Sequence, residues 1–379
     1  MSATTTAESA NLSSNQKKPK KRFSWVKFAH TLERLGLGFF APYARLIAKD
    51  EPKKQVREAA KGIALPAIAI GVFLAFWSYC STAVVTDSWK IPSPSETWSA
   101  YQGMREFAAS ESVKEAEFRL KMDKMAAQWQ SQADSATDSA AAAQFSAKAE
   151  QYRAMPYSGP PTFNQQIFTS LVTVGIGFLI ATLIAVPVGI LCGLSKNFST
   201  AVNPLIQIFK PVSPLAWLPI VFVFVTVLYN PSDAAKNAGF GREIFISAGT
   251  VTLCCLWPTL INTAFGVSGI DQDHLNVAKV LKLRWWQRIY KIVLPSALPL
   301  IFTGLRLSLG VGWMVLVAAD MLAQNPGLGK FVWDTFQNGS TESMAQIVVA
   351  VFAIGIIGFI LDRIMFTMQR LVSFDKAAF

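Results

Sequence analysis

The chain has 379 residues, 52% of them hydrophobic and 16% charged, with 35 Lys and Arg against 24 Asp and Glu and a formal net charge of +11. Such a composition excludes a disordered chain, and apolar runs longer than the ~18 residues that mark a bilayer-spanning helix make it a polytopic, all-α membrane protein. The basic excess lies beside those runs, which reads as topological and lipid-facing and excludes a nucleic-acid surface.

In chain order, residues 1–62 form a basic region whose first part, 1–16, is low in complexity and reads as disordered. No apolar stretch begins before about residue 63, so no cleavable signal peptide is expected and the first span acts as a signal anchor. From Phe23 to Lys49, Phe23, Trp25, Val26, Phe28, Leu32, Leu35, Phe39 and Phe40 mix with Lys27, Arg34 and Arg45. That mixture suits a helix lying in the headgroup layer, with a solvated lead-in as the other reading.

Spans are predicted near 63–83, 167–193, 204–228, 244–267, 297–322 and 345–367. Cytoplasmic loops accumulate Lys and Arg. Thirteen such residues lie between Lys17 and Lys61 and five between Lys279 and Lys291, whereas the loops 229–243 and 323–344 hold three together. Both termini, including the tail 371–379, and the 268–295 connection are therefore expected on the cytoplasmic side. Cys80, Cys192, Cys254 and Cys255 sit in or at the ends of the spans without metal-ligand spacing, as core residues do.

After the first span and its following segment, 63–100, comes an insertion at 101–155 rich in Ala, Glu, Lys, Gln and Met. It is expected to be periplasmic and helical. Phe118, Met122, Met125 and Trp129 share one helix face, and Phe145, Ala149 and Tyr152 share another. With a bend at Asp134–Asp138, the two stripes would meet in an antiparallel hairpin. Such a hairpin is either a tolerated surface insertion or a contact for an extracytoplasmic partner.

Residues 156–370 form the predicted core transmembrane domain. Its third span carries Pro204, Pro211, Pro214 and Pro219, each removing a backbone donor or straining the preceding turn. A broken helix persists in a bilayer where neighbours or a water-lined cavity satisfy the freed carbonyls, so this span either borders a pathway or is kinked for packing. The connection 271–295 is long, helical in pattern, and carries five Lys or Arg among apolar residues, which is the composition of a docking surface.

That connection resembles the signature of the membrane permease subunits of ATP-binding-cassette importers: Glu-Ala-Ala, three residues, Gly, nine residues, Ile, one residue, Leu-Pro. Here Asn276-Val277-Ala278 stands at the Glu-Ala-Ala position, Lys282 at the Gly, and Ile292, Leu294 and Pro295 in place. The flanking Leu-Pro-Ser-Ala-Leu-Pro (294–299), Phe-Thr-Gly-Leu-Arg-Leu-Ser-Leu-Gly (302–310), Val-Ala-Ala-Asp-Met-Leu (317–322), Val-Trp-Asp (332–334) and Gly-Phe-Ile-Leu-Asp-Arg (358–363) look like the nitrate/sulfonate/taurine branch, most of all its nitrate group. Asp320 stands where that branch usually has Glu. The resemblance covers about 60–100 and 165–374.

The resemblance implies a bacterial inner-membrane permease that imports nitrate or a similar small anion by alternating access. It would work as a dimer with two ATPase subunits and a periplasmic binding protein, in contact with the lipid bilayer. The chain itself would bind no cofactor, ATP and Mg belonging to the ATPase; Gly327-Leu328-Gly329-Lys330-Phe331 lacks the first Gly and the Ser or Thr of a P-loop. In the docking loop, Ala278, Val280, Leu281 and Leu283 would supply the buried knobs and Lys279, Lys282, Arg284 and Arg288 the surrounding charge, with Asn276 and Val277 beside them.

Intramembrane ionisable residues are the first pathway candidates, because each is costly unless paired or hydrated. Arg306 offers forked hydrogen bonds to a planar oxyanion, or else binds carbonyls or acidic groups between helices. Asp320 would repel an anion and reads as a structural ion pair or a binding-protein contact. Thr303, Ser308, Trp313 and Met314 are lining candidates with packing as the alternative, and Asp362 and Arg363 are expected to pair with neighbouring subunits or stay hydrated. An intramembrane enzyme lacks its catalytic cluster here, and an ion-gradient carrier would show internal repeats and charged relays in several spans.

Overall fold

The computed structural model describes residues 52–84, 90–229, 241–271 and 280–372, and residues 25, 45, 47, 273 and 276 singly. Most of the expected interfacial helix at 23–49, the expected disorder at 1–16 and the segment 373–379 lie outside the described residues. The chain divides into two units, Met1–Ile68 and Ala69–Phe379. Helix α1 (Pro52–Ala83) supplies residues 52–68 of the first unit, and the account below concerns the second.

The described elements are helical: α2 (Pro94–Ser135), α3 (Ser139–Ala154), α4 (Phe163–Leu194), α5 (Lys196–Phe209), α6 (Pro214–Leu228), α7 (Arg242–Ser268), α8 (Trp285–Arg288), a π-helical turn at Ile289–Val293, α9 (Leu294–Ala323), α10 (Leu328–Asn338) and α11 (Thr341–Val372). Among the described residues, five stretches are long and apolar enough to cross a membrane, or six if α5 and α6 count together. That pair is bent by 105°, so the third span expected at 204–228 is a broken element beginning at Lys196. The break sits before Pro214, where Ser213 takes an extended backbone (φ −62°, ψ 140°) and caps the Leu215 amide. A residue preceding proline avoids the helical region, and proline is at ease in a first turn.

The core is a layer of α4, α7 and α9, with α7 in the middle. Gly177, Ala181, Ala185, Gly189 and Gly193 recur every four residues and so share one face of α4. A Cβ at Gly177 would stand 2.7 Å from the Ala248 carbonyl oxygen, and one at Gly189 2.8 Å from that of Leu260. On α9, Gly304, Ser308 and Gly312 repeat the device: a Cβ at Gly304 would lie 3.0 Å from the Thr259 Cα, and one at Gly312 would meet Cys255 Sγ. Small residues let helix backbones approach closely, and van der Waals packing is what associates helices where lipid offers no hydrophobic gradient. Val251, Cys255, Val293, Ala297 and Leu316 are sealed between these helices.

The hairpin of α2 and α3 is antiparallel: Trp129 stacks on Phe145 at 5.8 Å, Arg119 donates to the Met155 carbonyl at 3.2 Å, and Phe118 meets Tyr157 at 5.5 Å. Ala126 and Ala149 are fully buried. The turn lies at 136–138, where Asp138 caps Ala140. The long arm begins at Pro94 rather than at 101, because Ser93 and Glu96 form a reciprocal capping box there. Its base, Ala100 and Met104, packs with Ala345 and Val349 of α11, so the insertion is rooted in the core.

Candidate functional site

The connection after α7 presents an apolar surface on a firm root. Ile289 and Val293 of the π turn are buried, and Val293 joins the core cluster with Val267 and Ile270 at the end of α7. The opposite side is open: Val280 is 81% exposed, Leu281 62%, Trp286 65% and Tyr290 68%. Trp285 and Trp286 meet edge to face at 4.4 Å. Arg284 is exposed and its amide is capped by Gln287 Oε1 at 3.1 Å, whereas Leu283 and Arg288 are half-buried. Asn276 is exposed; Val277, Ala278 and Lys279 lie outside the described residues.

Lys282 has φ 48°, in the left-handed region. This is the position at which the resembled signature has Gly, the residue that enters that region without a Cβ penalty. Trp285, Trp286 and Tyr290, not among the residues expected to dock, add an exposed aromatic trio to this basic loop, a composition enriched at partner surfaces.

Inside the membrane segments, long-range pairing decides each candidate. Arg306 forms a forked ion pair with Asp362 across α9 and α11, Nε to Oδ1 at 2.6 Å and Nη2 to Oδ2 at 2.9 Å, and its guanidinium lies 4.9 Å from the Phe366 ring. Asp362, expected to meet another subunit or water, is instead neutralised within the chain, by a residue 56 positions away that only the helix packing brings near. Gln369 donates to Thr303 Oγ1 at 2.8 Å across the same two helices.

Asp320 also departs from expectation. It is fully buried and, among the described residues, pairs with no cation. It accepts from Ser170 Oγ at 2.8 Å and Asn325 Nδ2 at 2.6 Å, and Asn325 also reaches Thr173 Oγ1 at 3.2 Å. Ser170 Oγ in turn accepts from the Leu328 amide at 2.9 Å. A Cβ at Gly327 would strike the Asp320 carboxylate, so Gly is required for the chain to pass over it. This network latches the α9–α10 turn onto α4; it binds protein groups and leaves no face to a solute.

Ser308 is likewise buried, sharing a 2.7 Å hydrogen bond with Thr259 Oγ1 and accepting from the Thr259 amide at 3.1 Å beside Pro258 of α7. Trp313 is buried and donates from Nε1 to the Ile354 carbonyl at 3.0 Å. Met314 alone of the six intramembrane candidates is largely open, 72% exposed.

A family model described as "Binding-protein-dependent transport system inner membrane component" matches residues 185–373. The nitrate import permease protein NrtB of Synechococcus elongatus is 40% identical over 229 residues, 58% of this chain and 76% of that protein. The bicarbonate transport system permease protein CmpB of the same species is 38% identical over 206 residues, 54% of this chain and 68% of that protein. The putative aliphatic sulfonates transport permease protein SsuC of Bacillus subtilis is 29% identical over 201 residues, 53% of this chain and 66% of that protein. With its small-residue helix layer, broken third span and rooted basic loop, the chain belongs to the binding-protein-dependent transport system inner membrane components, as a multi-pass permease subunit of an ATP-binding-cassette importer.

Proposed function

We propose that this permease carries a small oxyanion inward, nitrate first, by alternating access. The observation that carries the reading is the 40% identity with a nitrate import permease across 76% of that protein. Bicarbonate is the second reading, supported by 38% identity with a bicarbonate transport permease. The intramembrane chemistry suits either anion, because Asp320 is sealed in its latch and Asp362 is neutralised by Arg306.

The distribution of Lys and Arg supports cytoplasmic termini and a cytoplasmic 271–295 loop. On that side Val280, Leu281, Trp286 and Tyr290 insert into a groove on a separate ATPase, which supplies the ATP and Mg chemistry, while Lys282, Arg284 and Arg288 form the charged rim. Asn276, Val277, Ala278 and Lys279 precede these residues in the sequence and belong to the same proposed contact. The rooted side of the loop then transmits ATPase closure to α7 and α9 as a rigid-body rocking. Leu300, Leu307 and Met314 recur every seven residues on α9 and are 43%, 53% and 72% exposed, a stripe that suits a second copy of the permease. Two ATPase subunits and a periplasmic binding protein complete the assembly.

The test is the complex reconstituted in proteoliposomes with its binding protein, with nitrate, bicarbonate and taurine supplied separately. ATPase stimulation and uptake by nitrate alone are expected. Response to bicarbonate alone would keep the mechanism and replace the substrate, and uptake without any ATPase partner would return the chain to the gradient-driven carriers.

A further inference from the structure

The geometry points to an anion station at the meeting of α4, α5 and α7, with Lys210 as its charge and the α5 side chains Ser199, Asn203 and Gln207 as neutral partners; this inference rests on the oxyanion reading above. The cavity there has a volume of about 360 Å³. Its polar lining is Ser199, Asn203, Gln207 and Lys210 together with Ser268 of α7, and its remaining wall is apolar, including Ile206 and Leu260. Among the described residues no carboxylate lines it, and Lys210 is its one charged residue.

Ser199, Asn203 and Gln207 follow one another at steps of four, and Lys210 comes three later, so all four share one face of α5. The other face carries Leu205 and Ile208, which are 51% and 61% exposed. Ser199 is half-buried while Asn203, Gln207 and Lys210 are exposed, so the polar side of the helix lines a cavity that opens to the surface, with Ile206 buried beneath it. An ammonium among amides and hydroxyls offers several donors to a trigonal oxyanion while imposing no rigid fork. Arg306, the stronger anion binder, is already engaged by Asp362. A roomy site with one flexible cation suits a solute that must leave again.

The location ties the station to the drive. Ser268 is the last residue of α7, and the docking connection follows it directly, so displacement of that connection reaches the cavity wall. Lys210 is also the C-cap of α5. A cation there interacts with the last helix carbonyls whatever the cavity holds. A variant of Asn203 separates the two roles, since Asn203 lines the cavity without standing at the helix end.

The experiment uses the full complex with binding protein in proteoliposomes, measuring nitrate and bicarbonate uptake at sub-saturating concentration alongside ATPase rate. Lys210→Gln and Asn203→Asp are each expected to lower uptake roughly tenfold, the size of one lost charge-assisted hydrogen bond. ATPase stimulation by loaded binding protein should persist, and Lys210→Arg should restore most of the uptake. Unchanged uptake in both variants would overturn the station while leaving the importer standing. A defect in Lys210→Gln without one in Asn203→Asp would reduce Lys210 to a helix cap and overturn it equally. Wild-type complex that takes up neither anion would instead sink the oxyanion reading on which the station rests.

Discussion

Lys282 holds a left-handed backbone in the basic loop after α7, and that conformation costs a residue with a Cβ about 1–2 kcal/mol. Lys282→Gly removes the strain but frees the unfolded chain, an opposing effect of about 0.4–1 kcal/mol. The protein should therefore melt at the same temperature or slightly higher, whereas Lys282→Val, β-branched at the same φ, should melt lower. Equal melting of the two variants in detergent would show that the loop does not depend on this turn. Asp320 makes the opposite case, a side chain held by its partners. Asp320→Ala strips Ser170 and Asn325 of an acceptor and should destabilise by roughly 2–4 kcal/mol. Asp320→Asn should lose less, because the buried Asn325 Oδ1, which has no partner among the described residues, can turn to accept from the new amide. Thermal unfolding of the two variants checks this, and identical losses would remove the latch from the account.

At the scale of elements, the junction into α2 carries a titratable cap. The Lys90 ammonium at 2.7 Å, followed by the Ser93 amide, holds the Glu96 carboxyl down at about 2, against an ordinary 4.5. A depressed folded-state value means that its stabilisation is complete above about 4.5 and is lost as pH falls toward 2. Hydrogen-exchange protection of the first-turn amides of α2 should fall as pH drops from about 4.5 toward about 2. Glu96→Gln should flatten the change; a variant with the same pH dependence would exclude Glu96 as its source. The hairpin itself was legible, since the stripes Met122–Trp129 and Phe145–Ala149 repeat at helical spacing and do meet. Its root on α11 was not, because Ala100 and Met104 find Ala345 and Val349 more than two hundred residues away.

For the molecule as a whole, the loop's exposed apolar face sits beside a buried anchor, and the two halves should separate under mutation. Leu281→Asp is expected to abolish co-purification with the ATPase while leaving the melting temperature of the permease within a few degrees, since Leu281 is 62% exposed. Retained co-purification would move the docking surface elsewhere. Val293→Asp, at a fully buried position, should instead unfold the root. The exposed residue proposed to dock and the buried residue that anchors the loop thus stand a dozen positions apart in one short segment.

The sequence by itself determined the class of molecule: apolar run length sets the spans, the Lys and Arg distribution argues the sidedness, and the spacing of Ala278, Ile292 and Leu294-Pro295 carries the family resemblance. These are local properties, readable because hydrophobic burial and helical periodicity act within a few residues. Tertiary structure decided what the intramembrane ionisable groups do. Arg306 meets Asp362 across 56 positions, and Asp320 meets Ser170 across 150. A buried polar group in a bilayer takes whichever partner the helix packing places within about 3 Å, and that packing is set by the small-residue faces of α4 and α9 against α7.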